Sequence, residues 1–215
     1  ATGFSIILSE PADRAILTYA GSISSLRYED INLNLFDDAK HAHLSSFFLL
    51  DTLRPHVATL FKHAKTKGLT TSLDTNWDPR ETWGGGLDNV FEYTDVFLPN
   101  REEALRISGQ TTLKAATNVL ASKVSTLAVK LGAEGGLVKQ GDTDYRSAVF
   151  PVDLVDTTGA GDSFNAGFLY GYLQSWPLER ILQFACACGS LSTRAAGGTS
   201  AQASLAEALK LLESR

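Results

Sequence analysis

Short apolar runs alternate with amphipathic segments along most of this chain. The runs are typical of buried parallel strands and lie at 43–50, 69–73, 95–98 and 127–131. Apolar residues that recur every three or four positions predict helices at 28–39, 54–67, 101–107 and 113–123. Strands that alternate with helices indicate right-handed crossovers, so the pattern predicts an α/β fold with a mainly parallel sheet.

Two hairpins and a helical C-terminal part complete the pattern. Phe4–Leu8 and Ala15–Tyr19 predict one hairpin with a turn at 10–13, and a second hairpin is predicted from 136–139 and 144–149. Beyond residue 160 the chain is nearly all helix, with segments at 160–173, 178–195 and 204–213. Because no internal repeat, low-complexity stretch or linker interrupts the pattern, we expect one domain over residues 1–215.

Composition and charge exclude several classes of protein. The 215 residues are 44% hydrophobic and 20% charged, which is ordinary for a globular domain. A net charge of −5 without any basic run argues against binding to nucleic acid. No apolar stretch is long enough to span a bilayer, so we expect no membrane partner. Cys186 and Cys188 are too close together to cross-link the fold, which favours a reducing, cytoplasmic setting.

The segment most informative about chemistry is Asp156-Thr-Thr-Gly-Ala-Gly-Asp162, which follows a β-like segment at 149–155 and begins a helix. Gly159, Ala160 and Gly161 carry almost no side chain, so an anion can approach their backbone N–H groups at a helix N-terminus. A carboxylate at Asp162 can accept the proton of a hydroxyl that attacks a phosphoryl group bound there. These residues alone leave open a plain capped helix, in which Asp162 only complements the helix dipole.

The run Asp-Thr-Thr-Gly-Ala-Gly-Asp-Ser-Phe-x-Ala-Gly-Phe at 156–168 closely resembles the C-terminal signature of the PfkB carbohydrate kinases, also called the ribokinase family. The resemblance implies a ribokinase-like three-layer sandwich, with helices flanking a mainly parallel central sheet. It implies transfer of a phosphoryl group from ATP to a hydroxyl of a sugar or sugar acid. It also implies that the Gly159-Ala160-Gly161 backbone forms an anion hole, and that Asp162 contacts the substrate and acts as general base.

Two further segments resemble nucleotide and metal motifs of the family. Pro99-Asn-Arg-Glu-Glu103 resembles its Asn-x-x-Glu motif, which implies that Asn100 contacts the nucleotide and that Asn100 and Glu103 hold Mg²⁺ through water. The same two residues also suit a helix capping box. The stretch 129–135 resembles the strand end that lies along the nucleotide, which implies contacts from Lys130, Gly132 and Gly135, with a plain turn as the alternative.

A fourth segment, at 74–83, resembles the family's Asp-x-Asn-x-Arg segment at the carboxyl end of a sheet strand. Ligands in open α/β sheets bind outside such ends, so we expect Asp74 and Asn76 to line the substrate site. A loop of turn-forming residues is the alternative.

Small residues follow in the helical part of the chain, at 185–192 and 195–200. The family places its nucleotide against such residues, which implies a nucleotide contact at Cys188. The resemblance also implies a nucleotide contact at Thr158. It further implies a monovalent cation such as K⁺ near Asp156, Thr158 and Gly197.

The resemblance covers only the later part of the family pattern. Members begin with sheet strands, a Gly-Gly motif and lid strands, and none of these precedes Phe4. Residue 1 is Ala and no Met occurs, so we expect that an N-terminal third belongs to the protein and that these 215 residues alone show little activity. That part sets much of the sugar specificity, which leaves the substrate open.

Two alternatives to a sugar kinase remain at the level of the sequence. A nucleoside kinase has the same fold, and its lid and pocket residues would distinguish it. A non-catalytic sugar-binding paralogue is disfavoured because it has no need of Asp162 beside the anion hole. The resemblance also implies a homodimer in the complete protein.

Overall fold

The computed structural model describes residues 1–10 and 13–214. The backbone divides into two compact units, Ala1–Asp95 and Val96–Arg215. The single domain that the sequence indicates stays a prediction.

The first unit begins with an antiparallel hairpin of β1 (Phe4–Glu10) and β2 (Asp13–Tyr19), in which Phe4 lies opposite Tyr19. The hairpin was predicted, but its turn includes Pro11 and Ala12, which lie outside the described residues. Side chains two residues apart point to the same face of a strand. One face of the hairpin is therefore apolar, and its exposed members are Phe4, Ile6, Leu8, Leu17 and Tyr19.

The segment after the hairpin is not the α-helix predicted at 28–39. It forms short 3-10 helices at Gly21–Ser25, Tyr28–Asp30 and Leu33–Phe36, and none of their residues is buried. The side chain of Asn32 accepts a hydrogen bond from the Asn34 amide and begins a new turn there. Because an amphipathic face stabilises a helix mainly by packing, the spacing of apolar residues was a poor guide here.

The rest of the first unit contains a parallel strand pair with helical connections. Strand β3 (His41–Leu44) pairs with β4 (Thr70–Leu73), and α1 (Val57–Thr66) connects them as predicted. The predicted strand at 43–50 is shorter than expected because Ser46 has a positive φ of 58°. A short helix that was not predicted, α2 (Leu87–Phe91), precedes the second unit.

The second unit contributes four strands: β5 (Val96–Phe97), β6 (Thr126–Lys130), β7 (Gly136–Gln140) and β8 (Thr143–Ser147). Strand β5 pairs parallel with β6, whereas β6–β7 and β7–β8 are antiparallel. Within this unit the strands follow the order β5–β6–β7–β8. The predicted α/β class with a mainly parallel sheet is confirmed.

Five helices complete the second unit: α3 (Arg101–Ser108), α4 (Leu113–Ala121), α5 (Ala160–Leu173), α6 (Leu178–Ser192) and α7 (Leu205–Glu213). All five were predicted. Helices α5 and α6 pack closely, since a Cβ added to Gly167 would meet the Cys188 sulfur at 2.8 Å. Fully buried apolar side chains from α5, α6 and the sheet share one core cluster.

The β-like segment predicted at 149–155 is not a strand. Its backbone instead pairs with α6 and the residue after it: the Phe150 amide donates to the Ser190 hydroxyl at 3.0 Å, and the Val155 amide donates to the Thr193 carbonyl at 2.9 Å. These contacts place the Asp156 loop beside the end of α6. Within the described part of the chain, no helix is both long and apolar enough to cross a membrane.

Candidate functional site

Gly159 sets the entry of the chain into α5. It is the N-cap residue and has φ +74°, a conformation that residues with a Cβ adopt only under strain. A Cβ at this position would also lie 2.7 Å from the Gly198 carbonyl oxygen. Conformation and space therefore both require glycine at the point where the helix begins.

The first turn of α5 contains backbone N–H groups, and two of them have no hydrogen-bond acceptor among the described residues. The Ala160 amide donates to the Thr157 carbonyl at 3.2 Å and the Ser163 amide to the Gly159 carbonyl at 3.0 Å. The amides of Gly161 and Asp162 have no acceptor within 1–10 and 13–214. Unpaired amides and the positive end of the helix dipole favour a bound anion. Among the residues of the predicted anion hole, Ala160 therefore already uses its amide in a hydrogen bond within the protein.

Asp162 lies in this first turn with its side chain exposed to solvent. In the part of the chain that the structure describes, its carboxylate accepts no hydrogen bond and forms no ion pair. A carboxylate that no neighbour occupies can accept a proton from an incoming hydroxyl. The predicted base is thus placed beside the free amides with its oxygens available.

Lys130 brings a positive charge to the same place. A Cβ added to Gly161 would lie 3.8 Å from the Lys130 Nζ, so the ammonium lies against the first turn of α5. The backbone of Lys130 also forms a parallel bridge with Asn100, and its amide donates to the Pro99 carbonyl at 2.9 Å. Lys130 therefore connects two predicted site segments, the beginning of α3 and the beginning of α5.

Asn100 and Glu103 form the capping box that the sequence left open as an alternative. Asn100 donates from its backbone amide to Glu103 Oε2 at 2.8 Å and from Nδ2 to Glu103 Oε1 at 2.7 Å. The Glu103 amide donates back to Asn100 Oδ1 at 2.9 Å. The Glu103 side chain is only 4% exposed. Capping is therefore a function of both residues, while their predicted contact with Mg²⁺ stays a prediction.

The predicted nucleotide turn at Gly132–Gly135 follows β6. Gly132 has φ +59° and open space around it, whereas a Cβ at Gly135 would clash with the Ser147 carbonyl oxygen. An ion pair of 2.7 Å between Arg101 Nη2 and Glu134 Oε1 ties this turn to the first residue of α3. Gly132 thus leaves exposed backbone without a side chain. At Gly135, the close approach of the Ser147 carbonyl requires glycine.

The three residues of the predicted K⁺ site lie together. Asp156 Oδ1 accepts hydrogen bonds from the Thr158 amide at 2.9 Å and the Thr158 hydroxyl at 2.8 Å. Asp156 Oδ2 accepts from the Gly197 amide at 2.9 Å. Among the described residues no group of three or more His, Cys, Asp or Glu side chains could hold a metal ion.

Cys188 is half-buried in the contact between α5 and α6, next to Gly167. Burial raises the pKa of its thiol to about 11, with a smaller effect of Cys186. The structure thus gives Cys188 a packing function, and the predicted nucleotide contact stays a prediction. Its neighbour Gly189 lies against the beginning of α5, where an added Cβ would be 3.3 Å from the Ala160 carbonyl oxygen.

The predicted substrate residues Asp74 and Asn76 belong to the first unit and follow β4. Asp74 is buried and its Oδ1 accepts from the Asn76 amide at 3.1 Å. Asn76 is exposed, has φ +57°, and its Nδ2 lies 3.5 Å from the Ser46 hydroxyl. Ser46 and Asn76, two non-glycine residues with positive φ, follow the carboxyl ends of the paired strands β3 and β4.

Asp78, which was not predicted as a site residue, is 1% exposed. Its carboxylate accepts four hydrogen bonds of 2.8–2.9 Å, from the amides of Arg80, Thr82 and Trp83 and from the Thr82 hydroxyl. Burial acts to raise the pKa of Asp78, but these bonds outweigh it and hold the pKa below its ordinary value. The available signal was an Asp within turn-forming residues, a pattern that favours bonds from a carboxylate to the backbone that follows it.

The class of protein follows from comparison with known proteins. The model of the pfkB family carbohydrate kinases matches residues 1–204. An uncharacterised sugar kinase of Archaeoglobus fulgidus is 33% identical over 177 residues, which are 81% of this chain and 69% of that protein. The chain belongs to the pfkB family of carbohydrate kinases, and the predicted resemblance is confirmed.

Two other proteins extend the comparison. A 5-dehydro-2-deoxygluconokinase of Geobacillus thermodenitrificans is 26% identical over 200 residues, which are 86% of this chain and 59% of the relative. A ribokinase-type protein of Escherichia coli, crystallised with ATP and Mg²⁺, has a TM-score of 0.86 at 24% identity over 100% of this chain and 72% of its own. The structural likeness confirms the predicted ribokinase fold. The matches span 59% to 69% of the length of the two relatives.

Proposed function

We propose that this chain carries the phosphotransfer site of an ATP-dependent kinase, with a hydroxyl of a sugar or sugar acid as acceptor. The observation that carries the proposal is the beginning of α5. There the exposed carboxylate of Asp162, the unpaired amides of Gly161 and Asp162, and the ammonium of Lys130 lie together. Transfer of a phosphoryl group to a hydroxyl requires a base, hydrogen-bond donors for the phosphate oxygens and a positive charge. The beginning of α5 offers one base, two amide donors and one cation.

The proposed step moves one phosphoryl group and one proton. The acceptor hydroxyl oxygen forms a bond to the γ-phosphorus of ATP, the bond from that phosphorus to the bridging oxygen breaks, and ADP leaves. Asp162 takes the hydroxyl proton as the new bond forms. The amides of Gly161 and Asp162 and the ammonium of Lys130 offset the negative charge that gathers on the phosphate oxygens.

Mg²⁺ fits the site as an ion that arrives with the nucleotide. The described residues form no multidentate carboxylate cage, and both Glu103 oxygens already accept hydrogen bonds from Asn100. Mg²⁺ keeps several waters and takes few protein carboxylates, so Asn100 and Glu103 would hold its water shell. When bound, the ion neutralises charge on the β- and γ-phosphates. The ATP and Mg²⁺ in the E. coli structure support this assignment.

A monovalent cation such as K⁺ is proposed at the loop of Asp156, Thr158 and Gly197. The Asp156 carboxylate holds Thr158 and Gly197 together, and the Gly198 carbonyl approaches Gly159 closely. A cation among these oxygens would raise the positive potential at the beginning of α5. Its function would be electrostatic, since it would contact neither the phosphate nor the acceptor.

The acceptor class rests on the relatives. One is named a sugar kinase and another a 5-dehydro-2-deoxygluconokinase, which supports a sugar or a sugar acid. A nucleoside kinase shares the fold, and a non-catalytic paralogue would share the sugar site. The free carboxylate of Asp162 favours catalysis over binding alone, because an unpaired acid beside an anion site weakens the binding of phosphate.

Replacement of Asp162 by Asn in the full-length protein tests the proposal. The change keeps the size of the side chain but removes the base, so kcat should fall by about a hundred- to ten-thousand-fold. The affinity for ATP should change little, because the groups that donate hydrogen bonds to the phosphate are backbone amides. ADP release with a panel of sugars, sugar acids and nucleosides measures kcat and identifies the acceptor.

Asp153→Asn is the matched control, since Asp153 is an exposed aspartate of the same segment, and it should leave kcat unchanged. A near-normal kcat for Asp162→Asn would refute the assignment of the base.

A further inference from the structure

The loop 195–203, between α6 and α7, consists of small residues and one long side chain, that of Gln202. Glycine loses more conformational freedom than any other residue when it is ordered, and small side chains make few contacts that would offset this cost. Such a loop takes one shape only where specific bonds impose it. Bonds at its base, near its start and across its middle do so here.

The base of the loop is closed by an ion pair. Arg194 places its Nη2 3.2 Å from Oε1 of Glu207, which lies in the first turn of α7. Arg194 Nε also donates to the Leu191 carbonyl at 2.9 Å, which fixes the guanidinium on the end of α6. The Ser204 amide, followed by Arg194, holds the pKa of Glu207 below its ordinary value, so this carboxylate is charged at neutral pH. The two ends of the loop are therefore held together.

The start of the loop is bonded to the beginning of α5. The Gly197 amide donates to Asp156 Oδ2 at 2.9 Å. The next residue, Gly198, lies backbone to backbone against Gly159, the N-cap of α5, where a Cβ would come within 2.7 Å of the Gly198 carbonyl oxygen. The loop therefore contacts the turn that leads to the unpaired amides of α5.

Gln202 fixes the part of the loop that makes this contact. Its Nε2 donates to the Gly198 carbonyl at 3.2 Å, a distance within the range of protein hydrogen bonds. This carbonyl is the one that faces Gly159, so the Gln202 amide holds the peptide that packs against the beginning of α5. The donated N–H also offsets the partial negative charge of the carbonyl oxygen near a site for an anion. Gln202 is exposed, so burial does not account for its position.

We propose that Gln202 is a positioning residue for phosphoryl transfer, which holds the loop 195–203 against the beginning of α5 and so fixes the amides that receive the phosphate. Preorganised donors act only where charge develops in the transition state, and a displacement of about 1 Å can cost about a hundredfold in rate. The inference rests on the proposed kinase function and deepens it, because it names a residue that acts on the anion site through another segment.

Substitutions of Gln202 in the full-length protein separate its hydrogen-bond donor from its length. Gln202→Met keeps the length but removes the donor, so kcat should fall about tenfold. Gln202→Lys keeps a donor of similar reach, and kcat should stay within about threefold of the unsubstituted protein. Gln202→Glu places a negative charge against the carbonyl and should have the lowest kcat. ADP release at a constant KCl concentration measures all three.

The KM for ATP distinguishes positioning from ground-state binding. An interaction that is used only in the transition state lowers kcat and kcat/KM equally. The KM for ATP in Gln202→Met should therefore change by less than about twofold. A purely structural effect would lower the unfolding midpoint and leave kcat of the folded protein unchanged.

Hydrogen exchange gives a readout that does not depend on turnover. The amides of Ala160 and Ser163 donate to the Thr157 and Gly159 carbonyls at the beginning of α5. In Gln202→Met both amides should exchange several-fold faster than in the unsubstituted protein, because the loop no longer restricts local opening of that turn. A purely local function of Gln202 would speed exchange within the loop 195–203 alone.

Gln174→Met is the matched control. Gln174 is an exposed glutamine at the opposite end of α5, so its substitution should change neither kcat nor the exchange of the first turn. A general effect of losing an exposed amide on this helix would appear in both variants.

Three outcomes would overturn the inference: unchanged exchange of the first turn in Gln202→Met, an unchanged kcat in that variant, or an equal loss of kcat in Gln202→Lys. The proposed function fails separately. Faster exchange in Gln202→Met, in a protein that releases no ADP, would refute the kinase and leave the contact between the loop and α5 standing. ADP release that is indifferent to Gln202 would refute the positioning function alone.

Discussion

At the scale of single residues, His41 illustrates how a half-buried polar group depends on its partners. Its Nδ1 lies 2.7 Å from the Thr70 hydroxyl and its Nε2 lies 2.7 Å from the Ser72 hydroxyl. Burial, followed by the nearby His43, lowers the pKa of His41 to about 4. Asp95 acts to raise this pKa and Lys65 to lower it further, both more weakly.

This shift predicts a loss of stability in acid. The unfolded chain takes up the His41 proton near pH 6.5, whereas the folded chain resists it down to about pH 4. The contribution is therefore fully present above pH 6.5 and is lost as the pH falls toward 4. Because solvent screens a half-exposed ring, urea unfolding should show about 1 kcal/mol less pH dependence between pH 7 and 4.5 in His41→Asn than in the unsubstituted protein.

His56→Asn, a change at an exposed histidine, is the control and should keep the full pH dependence. Equal pH dependence in the unsubstituted protein and in His41→Asn would contradict the assignment to His41.

At the scale of elements, the site depends on segments that are held together by a few contacts between their ends. Helix α3 and the turn after β6 are joined by the Arg101–Glu134 ion pair, with side chains 35% and 63% exposed. Exposed ion pairs contribute only about 0–1 kcal/mol to stability. The pair is therefore better suited to fix the position of the Gly132 turn than to stabilise the fold.

Reversal of the Arg101–Glu134 pair tests this function. Arg101→Glu should raise the KM for ATP by about three- to tenfold, because like charges would separate α3 from the turn, with little change in the unfolding midpoint. The double variant Arg101→Glu with Glu134→Arg should restore the KM. Steady-state kinetics with ATP as the varied substrate would measure both.

Arg27→Glu, which breaks an exposed pair with Asp30 in the first unit, should leave the KM unchanged. Failure of the double variant to recover would show that the charges act separately.

At the scale of the whole molecule, the apolar face of the hairpin β1–β2 is an exposed hydrophobic surface that favours contact with another molecule. Its five exposed side chains are each half or more accessible to solvent, and an isolated two-stranded hairpin is only marginally stable in water. We propose a second copy of the chain as the partner. The face consists of five side chains, which is few for a specific interface, so the dimer should be weak.

Sedimentation velocity over a range of concentrations tests the dimer. Ile6→Ser combined with Leu17→Ser should shift the protein to monomer, since both side chains lie opposite each other on the apolar face. Leu35→Ser, at an exposed position outside the hairpin, should not shift it. A monomer at every concentration of the unsubstituted protein would contradict the proposal.

The α/β class and the beginning of α5 were predictable from the amino-acid sequence. Gly159 and Gly161 were recognisable because residues without side chains let an anion reach the amides where a helix begins, and Asp162 because it follows them directly in the chain. Relations of this kind lie within one turn of a helix, where local sequence fixes geometry. The capping box of Asn100 and Glu103 was predictable for the same reason.

The other features depended on long-range packing. The helix expected at 28–39 did not form, because no described residue buries its apolar side and spacing alone cannot supply that packing. The position of the Lys130 ammonium beside Gly161 brings together residues that are far apart in the chain. The four bonds to Asp78 depend on the fold of a whole loop. A sequence records which groups are present, and long-range packing decides which of them meet.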